Sequence, residues 1–332
     1  MDQKQGEYAL ISEMLESLQV IENFRVDVAK EVFADVRNAY RIFFTGEGSS
    51  RIFPAHHVIS LALEWGLPHQ FHSEGCYQSM EVKLRDWVVF AASNSGKTKE
   101  LILLLQKLQQ HKQSFIGITN GKDSPLHQMA DKVFLLSCGK EKAIAATKSV
   151  IEQALFYHTF LCELAGKDIR PRLPVLKTMA EKVLREKISD EIVEMAAQAP
   201  RIYFSGRNNG VAEELTLKTI EITRKSAVYL EGTFAFHGIE EVMQKDEVIV
   251  IIDPFSREEE NFDRILQKGV GIKVVAISSR PTRFPTILIP EGEEFRAYLQ
   301  LMAGWNLLIH IGLKLGINID KPKRARKVGN EI

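Results

Sequence analysis

The sequence predicts a doubly wound α/β chain that is written twice. Residues 41 to 46 read Arg-Ile-Phe-Phe-Thr-Gly and residues 201 to 206 read Arg-Ile-Tyr-Phe-Ser-Gly, an offset of 160. The same offset relates Glu81-Val82, Asp86 and the run Trp87-Val88-Val89-Phe90 to Glu241-Val242, Asp246 and the run Glu247-Val248-Ile249-Val250. Each copy alternates wholly apolar runs with amphipathic ones, the pattern of a parallel sheet covered on both faces. The expected architecture is two tandem three-layer α/β/α domains, each with a central parallel sheet, over residues 1–170 and 171–332.

Taken in order, a helix-rich stretch over Tyr8 to Val36 leads to the first strand, Ile42 to Phe44. Apolar residues at helical spacing mark Val58 to Trp65 and Leu101 to Gln109. Further strands fall at Val88 to Ala91, Phe115 to Ile118 and Val133 to Leu136, and a long apolar helix, Ala145 to Leu164, closes the copy. Pro171 and Pro174 make Gly166 to Pro174 the natural boundary. The second copy repeats the order, with a helical stretch over Val175 to Ala197 and strands at Ile202 to Phe204, Val248 to Ile252, Val274 to Ile277 and Ile287 to Ile289. Its closing helix is Glu294 to Leu315.

A length of 332 residues is enough for two cores of ordinary size. With 45% hydrophobic and 26% charged residues the composition is that of a soluble globular protein, and no stretch approaches a membrane span. Basic and acidic residues number 43 each, so no global field draws a nucleic-acid backbone. Cys76, Cys138 and Cys162 lie far apart without paired metal-ligand spacing, and the N-terminus has no signal-peptide pattern. The expectation is a cytoplasmic protein with free thiols, no metal, no cofactor, and neither a nucleic-acid nor a membrane partner. One charged run, Lys321 to Lys327, reads by itself as a solvated basic tail.

In a doubly wound sheet, ligands bind beyond the carboxyl ends of the strands, where helix N-termini present free N–H groups. Two turns of the first copy suit an anion there: Thr45-Gly46-Glu47-Gly48-Ser49-Ser50 after the first strand, and Ala92-Ser93-Asn94-Ser95-Gly96-Lys97-Thr98 after the second. Hydroxyls of Ser93, Ser95 and Thr98 add donors to the backbone, as a phosphate monoester requires. Neither a Walker loop nor a dinucleotide fingerprint is present, which turns the expectation from a nucleotide to a small phosphorylated metabolite. Either turn alone reads as an ordinary helix cap; two converging turns favour a ligand. The matching stretch of the second copy, Ile252-Asp253-Pro254-Phe255-Ser256-Arg257-Glu258, puts a carboxylate and a proline where donors should be.

Ser-x-Ser-Gly-x-Thr after the second strand of a duplicated α/β unit resembles the sugar isomerase (SIS) domain family of phosphosugar-binding proteins. Glu141 to Ser149, reading Glu-Lys-Ala-Ile-Ala-Ala-Thr-Lys-Ser, resembles the segment after the fourth strand in the isomerase half of glucosamine-6-phosphate synthase and its single-function relatives. The resemblance implies a sugar-phosphate ligand touched by Gly48, Ser49, Ser50, Ser93, Asn94, Ser95, Thr98, Ile144, Ala146 and Thr147.

In the second copy Glu214, Lys218 and Glu221 share one helix face, and His237-Gly238 follows in a loop. Such a stripe is ordinarily a solvated, salt-bridged surface, and a lone loop histidine is ordinarily structural. The family's order of Lys, Glu three residues later, His-Gly sixteen further on and a Lys near the C-terminus is matched by Lys218, Glu221, His237 and Lys327. Asp320-Lys321-Pro322 is similar to the family's Asp-x-Pro tail. By this resemblance Glu221 is the base that moves a proton between carbons 1 and 2, His237 opens the sugar ring, Lys327 forms a Schiff base and Lys218 tunes charge. A homodimer is implied too, with the histidine reaching into the neighbour's site. Two departures bear on the substrate: the loop Gly232 to Ile239 lacks the family's Gly-Glu before and Pro after, and Glu47 sets a carboxylate beside the expected sugar site.

Glutamine-driven synthesis needs a glutaminase domain with a cysteine directly after the initiator methionine, where this chain has Asp2. Three readings remain. One is an amino-sugar-6-phosphate isomerase that releases ammonia, resembling glucosamine-6-phosphate deaminases; Lys327 favours it. Another is a deglycase of 6-phosphorylated fructosamines. The third, a non-catalytic phosphosugar sensor, has no need to keep Glu221, His237 and Lys327 together.

Overall fold

The structure, a computed structural model, describes residues 6–324. Among the described residues there are ten strands and twelve α-helices. The strands are β1 Arg41–Gly46, β2 Gln70–Glu74, β3 Val88–Ala92, β4 Phe115–Thr119, β5 Lys132–Leu135, β6 Arg201–Gly206, β7 Ser226–Glu231, β8 Val248–Ile252, β9 Lys273–Ser278 and β10 Thr286–Leu288. The first seven helices are α1 Ala9–Glu22, α2 Val26–Phe33, α3 Ile52–Glu64, α4 Cys76–Ser79, α5 Lys99–Gln110, α6 Pro125–Met129 and α7 Lys148–Leu164. They are followed by α8 Leu173–Arg185, α9 Asp190–Gln198, α10 Val211–Thr223, α11 Glu259–Asn261 and α12 Arg296–Lys314, with a π-helical stretch over Phe262–Val270.

The strands form two five-stranded parallel sheets, ordered β2-β1-β3-β4-β5 and β10-β9-β8-β6-β7. Read from its other edge, the second order is the first repeated. Register agrees as well. Ile42 pairs with Val88 and Ile202 with Val248, so both members of the pair shift by the 160 residues that separate the repeated phrases. Both copies thus keep one backbone design although most of their side chains differ.

Two compact units divide the chain. An N-terminal unit holds residues 16–141 and 146–175 with the first sheet, and a C-terminal unit holds 6–15, 142–145 and 176–324 with the second. In the N-terminal unit neighbouring strand residues face opposite ways, as a pleated strand requires. Phe43, Val89 and Ala91 pack under Leu101, Leu104, Leu105 and Leu108 of α5. Phe44 and Phe90 turn to the other face and meet Tyr157 of α7 at ring distances of 4.6 and 5.7 Å. In the C-terminal unit Tyr203, Ile249, Ile251 and Val274 pack on Phe262 and Leu266, while α10 and α12 lie together. A side chain on Gly304 of α12 would come within 2.3 Å of Leu215 on α10, so glycine sets how closely these two helices approach.

Two strands depart from expectation. The runs read from sequence omit β2 and β7, the edge partners of β1 and β6. Both are half-exposed, and β2 carries Gln70, His72, Ser73 and Glu74, so no continuous apolar run announces it. The remaining strands and the long closing helices fall within a few residues of their expected places.

His57 of α3 and His158 of α7 are buried 5.5 Å apart, centroid to centroid. Burial pushes the His57 imidazole down to about 3 and holds His158 well below its ordinary value, with His57 adding to the effect. Folded, both stay neutral; unfolded, each takes a proton near pH 6.5. Their contribution is therefore complete above pH 6.5 and is lost as the pH falls towards 3. One such histidine costs about 2 kcal/mol at pH 5. Urea unfolding at pH 7.5 and pH 5 should show at least that loss, and His57→Phe should shrink it by about 2 kcal/mol; an unchanged pH dependence in the variant would show that His57 is not its source.

Candidate functional site

At the carboxyl end of β3 the chain leaves the sheet through Ser93 to Thr98 and enters α5. The Ser93 N–H donates to Ile118 O at 3.0 Å, which ties the turn to β4. Its hydroxyl accepts from Gly96 N at 3.0 Å and shares a 2.8 Å hydrogen bond with Thr98 Oγ1, while Ser95 Oγ accepts from Lys97 N at 3.2 Å. Gly96 has φ +69°, and a Cβ there would sit 2.0 Å from Ser124 Oγ, so only glycine lets the turn close. Three hydroxyls and the N-terminus of a twelve-residue helix are thereby collected in one turn. The other expected turn, Gly48–Ser50, is a half-buried 3-10 turn that leads into α3.

A buried carboxylate joins the Ser93 turn to the start of α7. Glu141, 3% exposed, accepts at Oε1 from Thr147 N at 2.9 Å and Ser149 N at 3.2 Å. Its Oε2 accepts from Ser149 Oγ at 2.8 Å and from Asn94 Nδ2 at 3.1 Å. A second buried carboxylate, Glu152, takes Ser137 N and Cys138 N at 2.7–2.9 Å and so fixes the exit of β5. Asn94 Oδ1 and Thr147 Oγ1 are buried polar atoms that find no hydrogen-bond partner among the described residues. They flank Glu141 and remain free to serve a ligand. In sequence, Glu141 only opens a motif; its donors come from two separate stretches, the turn at Asn94 and the helix start at Thr147 and Ser149, and no local pattern announces the first.

The ten residues expected at the sugar divide between the units. Gly48, Ser49, Ser50, Ser93, Asn94, Ser95, Thr98, Ala146 and Thr147 belong to the N-terminal unit, whereas Ile144 belongs to the C-terminal one, where its N–H donates to Asp320 O at 3.1 Å. Glu47, the carboxylate that the sequence sets beside this site, has a partner of its own. Its carboxylate accepts from Cys76 N at 2.8 Å and so serves the start of α4. Burial, with Glu47 close by, raises the Cys76 thiol far above its ordinary value, and burial and Glu152 do the same to Cys138, so neither offers a thiolate.

In the C-terminal unit the charged face of α10 is interior. Glu214 and Lys218 are wholly buried, and the Glu221 side chain is 18% exposed. Lys218 Nζ lies 2.8 Å from Glu221 Oε2 and 3.3 Å from Glu214 Oε1. Burial disfavours the ammonium, but the two carboxylates outweigh it and hold Lys218 above its ordinary value. Glu221 Oε1 has no hydrogen bond among the described residues.

His237 follows a 3-10 turn, Phe234–Phe236, and is exposed. Its Nε2 lies 3.4 Å from Thr233 Oγ1 and its ring 5.2 Å from Phe236; no hydrogen bond or ion pair joins it to Glu221. The base of the tail is anchored. Asp320 accepts from Ala9 N at 2.9 Å and Leu10 N at 2.8 Å at the start of α1, and Arg224 donates to Lys321 O at 2.8 Å. Lys327 lies outside the described residues.

Fold and turn together define a doubly wound α/β protein whose hydroxyls and helix N-terminus converge beyond the strand ends. The SIS domain model matches residues 35–162, within the unit that carries the first sheet. It is similar to glutamine–fructose-6-phosphate aminotransferase (isomerizing) of Lactiplantibacillus plantarum, 23% identical over 282 residues, covering 79% of this chain and 46% of the relative. The enzyme of that name from Sulfolobus acidocaldarius is 24% identical over 317 residues, covering 91% and 52%. The chain thus spans about half the length of these curated relatives. Among solved structures, the C-terminal domain of glucosamine-fructose-6-phosphate aminotransferase from Francisella tularensis superposes with a TM-score of 0.76 at 20% identity, covering 94% of this chain and 97% of that one. A glucosamine-6-phosphate deaminase from Thermotoga maritima gives 0.70 at 20% identity, covering 94% and 98%.

Glu141→Ala strips four donors of their acceptor and should destabilise the protein by about 3 kcal/mol in urea unfolding. Sugar-phosphate affinity measured by calorimetry should fall at least tenfold. Full affinity in a folded variant would separate Glu141 from the cradle.

Proposed function

We propose that the protein is a phosphosugar isomerase-type enzyme acting on an amino-sugar 6-phosphate. The observation that carries this is the α10 arrangement, where a buried ammonium holds one oxygen of Glu221 and leaves the other free. A surface ion pair needs no such burial, and keeping three charged groups in an interior is costly unless they are used.

The phosphate is held by Ser93, Ser95 and Thr98 at the N-terminus of α5. His237 transfers the proton that opens the ring. Glu221 Oε1 removes the proton from carbon 2 of the open-chain aldehyde and returns it to carbon 1, passing through an enolamine. Water then hydrolyses the resulting ketimine to the ketose phosphate and ammonia. Lys218 keeps Glu221 oriented and balances its charge, and Lys327 is assigned the carbonyl-trapping role. Exposure of His237, with no link to Glu221, supports its working in a site of a second subunit, and hence a homodimer. The named relatives, an isomerizing aminotransferase and a deaminase, support the substrate class.

Glu221→Gln should lower turnover by at least a thousandfold while leaving calorimetric affinity for glucosamine 6-phosphate within threefold; unchanged turnover removes Glu221 from the mechanism. A screen of amino-sugar and fructosamine 6-phosphates should release ammonia from the former. Release of a free amino acid from the latter instead makes the enzyme a deglycase, with Glu221 and His237 in the same roles.

A further inference from the structure

The C-terminal unit carries a cavity of about 670 Å³ at the carboxyl ends of its own strands. It occupies the place in the second sheet that the Ser93 turn occupies in the first. Asp253 stands 160 residues beyond Ser93, and its N–H donates to Ile277 O at 2.8 Å just as Ser93 N–H donates to Ile118 O. The lining differs in kind. Four guanidiniums face the cavity, from Arg207, Arg257, Arg280 and Arg296, where the first copy has hydroxyls.

Internal ion pairs use only part of this donor capacity. Arg207 and Arg296 lie 2.9 and 3.5 Å from the same oxygen of Asp253, and Arg280 lies 2.5 Å from Glu259 Oε1 while donating to Pro254 O at 2.8 Å. Arg257 forms no ion pair among the described residues. Each guanidinium has five N–H donors, and one carboxylate oxygen satisfies only one or two of them. Arg207 lies 4.4 Å over the ring of Phe255, which is 39% exposed and gives the cavity an apolar wall. Asp253 is held at φ +51°, a conformation few side chains adopt, with its carboxylate pinned between two arginines.

We propose that this cavity is a second anion site, which takes a small metabolite bearing a carboxylate or a phosphate. Its oxyanion is bound by the planar guanidinium forks of Arg257 and Arg280, a geometry suited to bidentate recognition of either group, and its body rests on Phe255. Thr233 on the same wall is the hydrogen-bond partner of His237, so an occupant sits one residue from the histidine of the proposed mechanism. The site itself does not depend on that mechanism.

Calorimetric titration of the full chain with glycerol 3-phosphate and with malonate tests this. In Ser95→Ala with Thr98→Ala, which weakens the first cradle, saturable binding of at least one of the two anions should remain. Adding Arg257→Gln and Arg280→Gln should weaken that binding at least tenfold. Arg257→Gln alone, at an exposed position that cannot threaten the fold, should weaken it at least threefold. Retention of glycerol 3-phosphate alone identifies a phosphorylated occupant, and retention of malonate alone a carboxylic one. If neither anion binds the Ser95/Thr98 variant, or if the remaining binding survives the arginine substitutions in folded protein, the proposal is overturned.

Discussion

The Glu141 carboxylate is the constraint on which the anion cradle depends. A buried carboxyl group is costly without partners, and Glu141 accepts hydrogen bonds from Asn94, Thr147 and both the amide and the hydroxyl of Ser149. None of these donors is next to another in the chain except through the first turn of α7. Satisfying the carboxyl group therefore fixes the turn after β3 relative to the helix start after β5. On the proposed reading, the hydroxyls and amides of the cradle are thereby organised before any ligand arrives, so that binding need not bear the entropy of ordering them.

The C-terminal unit solves a similar problem with the opposite sign. There the buried charge is the Lys218 ammonium, and the groups that satisfy it are the carboxylates of Glu214 and Glu221. Sheet order and register are shared between the copies, while the chemistry at the strand ends has diverged from small hydroxyls to arginines. A common backbone carries both because residues beyond a strand's carboxyl end are free of the packing demands that govern Phe43, Phe44 and their counterparts.

Central strands were legible in the sequence because they are buried on both faces and read as unbroken apolar runs. Edge strands β2 and β7 were not, since half-exposure admits polar residues that erase the run. The hydroxyl turn was legible from Ser93, Ser95 and Thr98 flanking Gly96. Glu141 was not, because its role arises from partners 6 to 47 residues away. The α10 stripe was visible as a pattern but not as an interior: the burial of Lys218 depends on what packs over α10, which the residues of the stripe do not reveal. The arginine cavity drew on Arg207, Arg257, Arg280 and Arg296, which no linear motif connects.

On the proposed reading, the hydroxyl turn of the N-terminal unit, held by Glu141, receives the phosphate. A crystal structure with glucosamine 6-phosphate tests it most directly. Phosphate oxygens should lie within hydrogen-bond distance of the Ser93, Ser95 and Thr98 hydroxyls and of backbone N–H groups at the start of α5, with Glu141 still bound to Asn94, Thr147 and Ser149. A phosphate found elsewhere while that turn carries none, or a turn that binds phosphate only after Glu141 has released its partners, would contradict it.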